Sequence, residues 1–339
     1  MCKSKALGGR CNGYLNKNLT VVKKKLDDRV SLMISSGVLD RKNSLEKEQE
    51  AHYAEARRAK EAGELALSKA AYASAKELAE PLKEARSELN YFKDETAHLA
   101  IKFDTLQTER DRRDGKFVEY EEDTIGTADK TVSFPSNSPE WHAQRAKAIG
   151  GSDVGAIMGV SPFGNRAKIF KDKTEPDPKK SVAQKEYKGG AFYRGDAWEN
   201  NIVRMYQDKN PDKKIMHSKA SWVHRDRPYQ QANVDGLICE NGSETPNAIL
   251  EIKTSSSAKS WKNGPPEEYR MQTLWYMDTF NMKKAYVAVL IDDHDYRQYE
   301  ITPRPGEIEN IRSEMSKFMD EVNTRKKEIE AEKSRSVAA

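Results

Sequence analysis

Residues 233–238 read NVDGLI and residues 248–256 read AILEIKTSS, with the turn-forming stretch NGSETPN between them. Side chains two apart on a strand point to one face. Glu251 and Lys253 therefore project together from a segment whose neighbours Ile249, Leu250 and Ile252 are apolar. A carboxylate and an ammonium on a mostly buried strand are costly unless they serve each other or a metal ion. If the preceding strand pairs as a hairpin neighbour, Asp235 reaches the same place. Asp235, Glu251 and a backbone carbonyl make a hard oxygen site suited to Mg²⁺ or Mn²⁺. The lysine beside it can orient or help deprotonate an attacking water, while the ion stabilises charge growing on a phosphodiester. The plain alternative is an ion pair at a strand end, because Asp…Glu-x-Lys is a short pattern that chance supplies often.

Three further stretches add to this reading. Gln272 and Tyr276 are spaced i, i+4 and share a face of the helix expected over GPPEEYRMQTLWYMDTFN, residues 264–281. Their amide and phenol can hydrogen-bond a phosphate. RGDAWEN, residues 194–200, falls on a helix expected from about 191 to 208, with Trp198 packed inward and Glu199 presenting another carboxylate. In WHAQRAKAIGGSDVGAIMGVSPFG, residues 141–164, Arg145 can grip a phosphate through its planar fork. The glycine turn at 150–151 frees backbone N–H groups, and Ser152 can cap a helix or bind phosphate. Taken singly, each stretch also reads as ordinary structure: an amphipathic helix, a surface glutamate, a capped helix connection.

The chain has 339 residues, with 33% charged and 37% hydrophobic. Ordinary domains sit near about 25% charged and 45–50% apolar, so part of the chain is not ordinary core. Residues 1–42, with KKK at 23–25, read as a basic flexible arm. Residues 43–114 read as a helical coiled-coil segment whose stripe runs Ala71, Ala75, Leu78, Leu82, Ala85, Leu89, Phe92, Thr96, Leu99, Phe103, Leu106. Steps of four and three make a heptad repeat, and such a stripe needs a partner helix. Asn43 with Glu46 suggests a capping box, and Pro81 a kink or a break near the stripe's start. Residues 115–137 read as a linker. Residues 138–339 read as an α/β (α+β) domain, a mixed sheet flanked by helices with an amphipathic C-terminal helix. Strands are expected over 215–225, 229–239, AILEIKTS, KKAYVAVLIDD and YRQYEIT. No apolar run reaches the ~20 residues of a membrane span, and the N-terminus has no apolar signal core. Three cysteines point to a reducing, cytoplasmic setting. A net charge of +4 permits a nucleic-acid partner without demonstrating one.

Taken in order, these motifs resemble the YqaJ-like viral recombinase family of the PD-(D/E)XK nuclease superfamily, which includes phage lambda exonuclease. The resemblance runs from about Ser138 to Thr302 and leaves the heptad segment outside. It implies a restriction-endonuclease-like core over 138–339. It makes Asp235, Glu251 and the Ile252 carbonyl metal ligands for Mg²⁺ or Mn²⁺, with Glu199 the upstream acidic residue near them. Lys253 is then the catalytic lysine, and Gln272 the glutamine beside the metal–phosphate site. Arg145 and Ser152 match residues that bind a terminal 5′-phosphate. Asn233 and Lys259 stand where lambda exonuclease has a serine and an arginine, and both can still donate; Tyr276 joins this DNA-facing set. The implied activity is 5′→3′ digestion of one strand of linear double-stranded DNA, leaving a 3′ overhang for a single-strand annealing recombinase. The implied assembly is a homo-oligomer, a trimeric ring, in the cytoplasm of a bacterial host if phage-encoded. An endonuclease of the same fold and a non-catalytic coiled-coil DNA-binding scaffold are the competing readings.

Overall fold

The computed structural model describes residues 12–134, 138–176 and 190–338. They divide into two compact units, one of residues 12–113 with 190–198, the other of residues 114–176 with 199–338.

The first unit contains α1 (Asn12–Ser35), α2 (Val38–Glu61), α3 (Leu65–Glu77) and α4 (Ala79–Arg113). Helix α1 packs on α4, and α2 packs on α3 and α4. The chain turns back at residues 62–64, where Gly63 takes a φ of 79°, a left-handed conformation open to glycine. The heptad stripe is the buried seam. Ala71, Ala75, Leu82, Ala85, Leu89, Thr96 and Leu106 are buried, and Leu78, Phe92, Leu99 and Phe103 are half-buried. Its partner comes from the same chain: Leu15 and Leu19 pack with Phe103 and Leu106, and Met33, Val38 and Leu39 with Leu89 and Phe92.

This corrects the expectation of a flexible arm over 1–42, since α1 lies within it. Leu15, Leu19, Val22, Leu26 and Met33 keep heptad spacing, but the position between Leu26 and Met33 is Arg29. Its guanidinium lies 4.8 Å from the Phe92 ring centre and 3.4 Å from Glu95, so a charged residue occupies the seam and masks the period. Lys23 and Lys24 pair with Asp27 and Asp28 one turn on, which makes the basic run a solvated helix face. The expected cap at Asn43 is also corrected. Helix α2 starts at Val38 after Gly37, whose φ of 71° breaks the path from α1. Pro81 lies in the first turn of α4, where a missing N–H costs no helix bond, so it marks a helix start.

The second unit carries β1 (Thr124–Ile125), β2 (Ala128–Thr131), α5 (Pro139–Arg145), α6 (Gly151–Ile157) and α7 (Arg166–Thr174). Helix α8 (Gly190–Lys209) holds the division within it, and β3 (Lys214–Met216), β4 (Ser221–His224), β5 (Arg227–Ala232) and β6 (Gly236–Cys239) follow. Then come β7 (Ala248–Ser255), a 3₁₀ turn (Lys259–Trp261), α9 (Glu267–Phe280), β8 (Ala285–Ile291), β9 (Asp295–Ile301) and α10 (Glu307–Ala338).

Two sheets result, one ordered β1-β2-β4-β5 and one ordered β3-β6-β7-β8-β9. Strands β7 and β8 are parallel, joined through α9, and the other pairs are antiparallel. The expected linker at 115–137 thus supplies two strands, because β2 pairs along β4. The two long strands expected over 215–225 and 229–239 are four short ones, which change sheet at 217–220 and at 233–235. The second change puts Asp235 at a corner rather than within a strand.

Strand β8, AYVAVLI, is buried throughout, as befits a strand paired on both sides and covered on its faces. Val287, Val289 and Ile291 share one core with Leu274, Trp275 and Met277 of α9 and Met315, Phe318 and Val322 of α10. Burying each such side chain contributes about 1.5–3 kcal/mol. Asp278 fixes the far end of α9, accepting from Arg227 at 3.0 Å, Gln230 at 2.9 Å and Arg312 at 2.5 Å. Among the described residues, no helix is long and apolar enough to cross a membrane.

Candidate functional site

Gly236 of β6 faces Leu250 of β7, so Asp235 lies opposite Glu251. The Ile252 N–H donates to Asp235 Oδ2 at 2.6 Å and orients that carboxylate. Glu251 is 2% exposed. Its Oε1 accepts from Gln272 Nε2 at 2.6 Å and from Lys253 Nζ. Its Oε2 is buried without a hydrogen-bond partner. Gln272 Nε2 also donates to the Tyr276 hydroxyl at 3.2 Å, and Lys253 Nζ lies 5.1 Å from the Tyr269 ring centre. Tyr269, Gln272 and Tyr276 follow one another by three and four residues, so a single face of α9 serves the strand.

The electrostatics follow from burial. Removal from water, with the nearby Asp235 charge, pushes Glu251 up to about 8 against the pull of Lys253. Burial also raises Asp235 and, with the Glu251 charge, Tyr276. Burial alone would lower Lys253, but the Glu251 and Asp235 charges outweigh it and hold the ammonium protonated. Glu199, exposed on α8, adds its negative charge at Glu251. Among the described residues, no three His, Cys, Asp or Glu side chains stand gathered as a ready metal group. What β7 and the corner before β6 offer together is two hard carboxylates whose negative charge, once ionised, is under-compensated, one with an unspent oxygen. That is the donor chemistry a hard divalent cation takes up.

A second cluster is built around Arg145. Ser138 caps α5 by accepting from the Trp141 N–H at 3.1 Å, with Pro139 at the first helical position. Trp141 lies under the Arg145 guanidinium at 4.8 Å. Arg145 Nη2 donates to Asp153 at 2.8 Å and to the Ser152 hydroxyl at 3.2 Å. Ser152 is exposed and does not cap α6. That place is Gly150, whose N–H donates to Asp153 at 3.1 Å. Gly151 joins this cluster to the first. A Cβ there would lie 2.5 Å from the Tyr276 ring and 2.8 Å from Gln272 Cγ, so only glycine lets α6 approach α9 this closely.

The structure therefore gathers Asp235, Glu251, Lys253, Gln272 and Tyr276, with Ile252 engaged through its N–H, and sets Arg145 with Ser152 beside them. Asn233 and Lys259 are exposed, and the hydrogen bonds just described run through neither. Cys2 and Cys11 lie outside the described residues, while Cys239 is buried. Three residues went unassigned in the sequence: Tyr269 beneath Lys253, and the buried pair Asp153 and Lys173. Tyr269 had a signal, since it precedes Gln272 by three residues on one helix face. Lys173, in the run KDKT, had none.

Residues 140–283 match the model of the YqaJ-like viral recombinase domain, a span that holds both clusters except Ser138 and Pro139 at the start of α5. The motif resemblance lies in the same part of the chain, which is similar to that domain. Among curated proteins, the uncharacterized protein YqaJ of Bacillus subtilis (strain 168) is 33% identical over 167 residues, 48% of this chain. The chain spans about half (49%) of that relative's length. Among solved structures, an alkaline exonuclease (LHK-Exo) from Laribacter hongkongensis is similar, at 17% identity and a TM-score of 0.45 over 58% of this chain and 99% of that one. The structure of LHK-Exo in complex with dAMP gives 18% identity and a TM-score of 0.44 over the same shares.

Proposed function

We propose that this chain is a divalent-metal-dependent deoxyribonuclease of the PD-(D/E)XK kind. It digests linear duplex DNA 5′→3′ and leaves a 3′ single strand for an annealing recombinase. The observation that carries this reading is Glu251, held by Gln272 and Lys253 through one oxygen, with the other buried and unpartnered opposite Asp235. Asp235 and Glu251 would hold Mg²⁺ or Mn²⁺, with the Ile252 carbonyl and Glu199 as further oxygen donors. Bound there, the ion supplies Lewis-acid stabilisation of charge developing on a phosphodiester.

The chain's own residues do the rest. Gln272 fixes the Glu251 carboxylate, and the Ile252 N–H fixes Asp235. Lys253 remains protonated between two carboxylates, so it acts as a donor that orients an attacking water and stabilises a phosphate oxygen. Arg145 and Ser152 face the anionic end of the strand. Asn233 and Lys259, both exposed, contribute donors along the DNA path, whereas Tyr276 is buried behind Gln272 and supports it without reaching DNA; a ring-like homo-oligomer would enclose the duplex.

The test is digestion of linear duplex labelled at either end, with Mg²⁺ or with EDTA. Release of the 5′ label first, dependent on Mg²⁺ and lost in Glu251→Gln, is the expected result. Equal digestion by Glu251→Gln refutes the site. Efficient cutting of covalently closed circular duplex turns the reading to an endonuclease.

A further inference from the structure

Lys173, at the end of α7, is a buried lysine that contacts none of the strand carboxylates described above. It is 4% exposed, and its Nζ donates to the Arg145 carbonyl at 2.9 Å, the Ala148 carbonyl at 2.5 Å and Asp153 Oδ2 at 3.0 Å. A Lys ammonium has three protons, and all three are spent on the turn between α5 and α6. Asp153 is equally committed. Its Oδ1 takes Arg145 Nη2, and its Oδ2 takes Lys173 and the Gly150 N–H. The charges of Lys173 and Arg145 and these bonds hold its carboxyl below the usual carboxylate range against the cost of burial.

The consequence is visible at Arg145. One nitrogen, Nη2, is pinned to Asp153 and Ser152, and the guanidinium is stacked on Trp141. Among the described residues, its Nε and Nη1 have no hydrogen-bond partner. Nη1 faces Gly150, where a side-chain carbon would stand 3.6 Å away, so the glycine leaves that side uncovered. A planar fork, immobilised along one edge with donors left over, suits a planar-facing or tetrahedral oxyanion. Asp153 alone would neutralise Arg145; Lys173 on its other oxygen leaves the group of three one positive charge.

We propose that Asp153 and Lys173 are positioning residues that aim the Arg145 fork, with the Ser152 hydroxyl, at a terminal phosphate monoester of DNA. The pair confers discrimination between phosphorylated and hydroxyl ends without touching the phosphate. This rests on the nuclease reading above for the nature of the ligand.

The experiment measures binding of short blunt duplexes carrying a 5′-phosphate or a 5′-hydroxyl, by fluorescence anisotropy in EDTA so that no strand is cut. The double variant Asp153→Asn/Lys173→Met removes one charge of each sign, so the local net charge is kept while the tether is lost. The wild type is expected to prefer the phosphorylated end by about tenfold or more, the scale of one or two charge-assisted hydrogen bonds. The double variant is expected to bind both ends alike, at the wild-type affinity for the hydroxyl end. A structural role alone would weaken both ends together. Circular dichroism checks that the double variant is folded. Should it not be, Asp153→Asn keeps acceptors for Gly150 and Lys173 and is expected to lose most of the preference. A folded variant that keeps the wild-type preference within about twofold overturns the proposal, as does a wild type with no preference. Mg²⁺-dependent digestion by the wild type, lost in Glu251→Gln, decides the nuclease reading separately.

Discussion

Glu251→Gln should make the metal-free protein more stable, by an amount that depends on pH. In the folded state Glu251 is pushed up to about 8 from 4.5 by burial and by Asp235. At pH below about 4.5 both the folded and the unfolded chain carry the proton, and the residue contributes no penalty. Between 4.5 and 8 the unfolded chain gives up the proton while the folded protein retains it. Stability then falls by about 1.4 kcal/mol per pH unit. The full loss, reached above pH 8, is roughly 5 kcal/mol, and at pH 7 it is roughly 3 kcal/mol. Glutamine has no proton to lose, so the variant lacks this slope, and its amide oxygen still accepts from Gln272. Urea unfolding in EDTA at pH 4.5, 6, 7 and 8.5 measures the difference. Four of the five tryptophans, Trp141, Trp222, Trp261 and Trp275, lie in the second unit, so their fluorescence reports on it. The expected outcome is a variant no more stable than wild type at pH 4.5 and increasingly more stable towards pH 8. A difference that does not change with pH refutes the account of Glu251 as a buried, under-compensated carboxylate.

The same reasoning predicts that Mn²⁺ binding at pH 7 expels about one proton per ion from the wild type. Calorimetry in two buffers of different ionisation enthalpy should show this, and Glu251→Gln should show no release. Gly151→Ala places a carbon 2.5 Å from the Tyr276 ring, a clash expected to cost about 1–3 kcal/mol. A melting temperature equal to wild type would show that α6 and α9 separate freely. In the first unit, Leu89→Ala empties the seam beside Met33 and Val38. It should cost about 2–5 kcal/mol, seen as earlier loss of helical circular dichroism on heating.

Much of this protein is legible locally. The heptad stripe from Ala71 to Leu106, the strand AILEIKTS and the shared face of Gln272 and Tyr276 are periodicities, and periodicity reports which side chains point together. Those features determine that α4 has a buried seam, that Glu251 and Lys253 meet, and that α9 presents polar groups to a neighbour. What lies across the seam was decided by tertiary structure, because Arg29 interrupts the period of α1 and its stacking on Phe92 appears only once the helices pack. The strands β1 and β2 are too short to carry a pattern and become strands by pairing with β4. Tertiary structure likewise decided the chemistry of the site. Glu251 is an ordinary carboxylate in the chain, and only enclosure with Asp235 raises its pKa. Lys173 is one charge among several in KDKT until folding brings it to Asp153 and the turn at Arg145. The charge state of a side chain and the partner it serves depend on water excluded and on neighbours distant in sequence. Residue spacing does not contain either quantity.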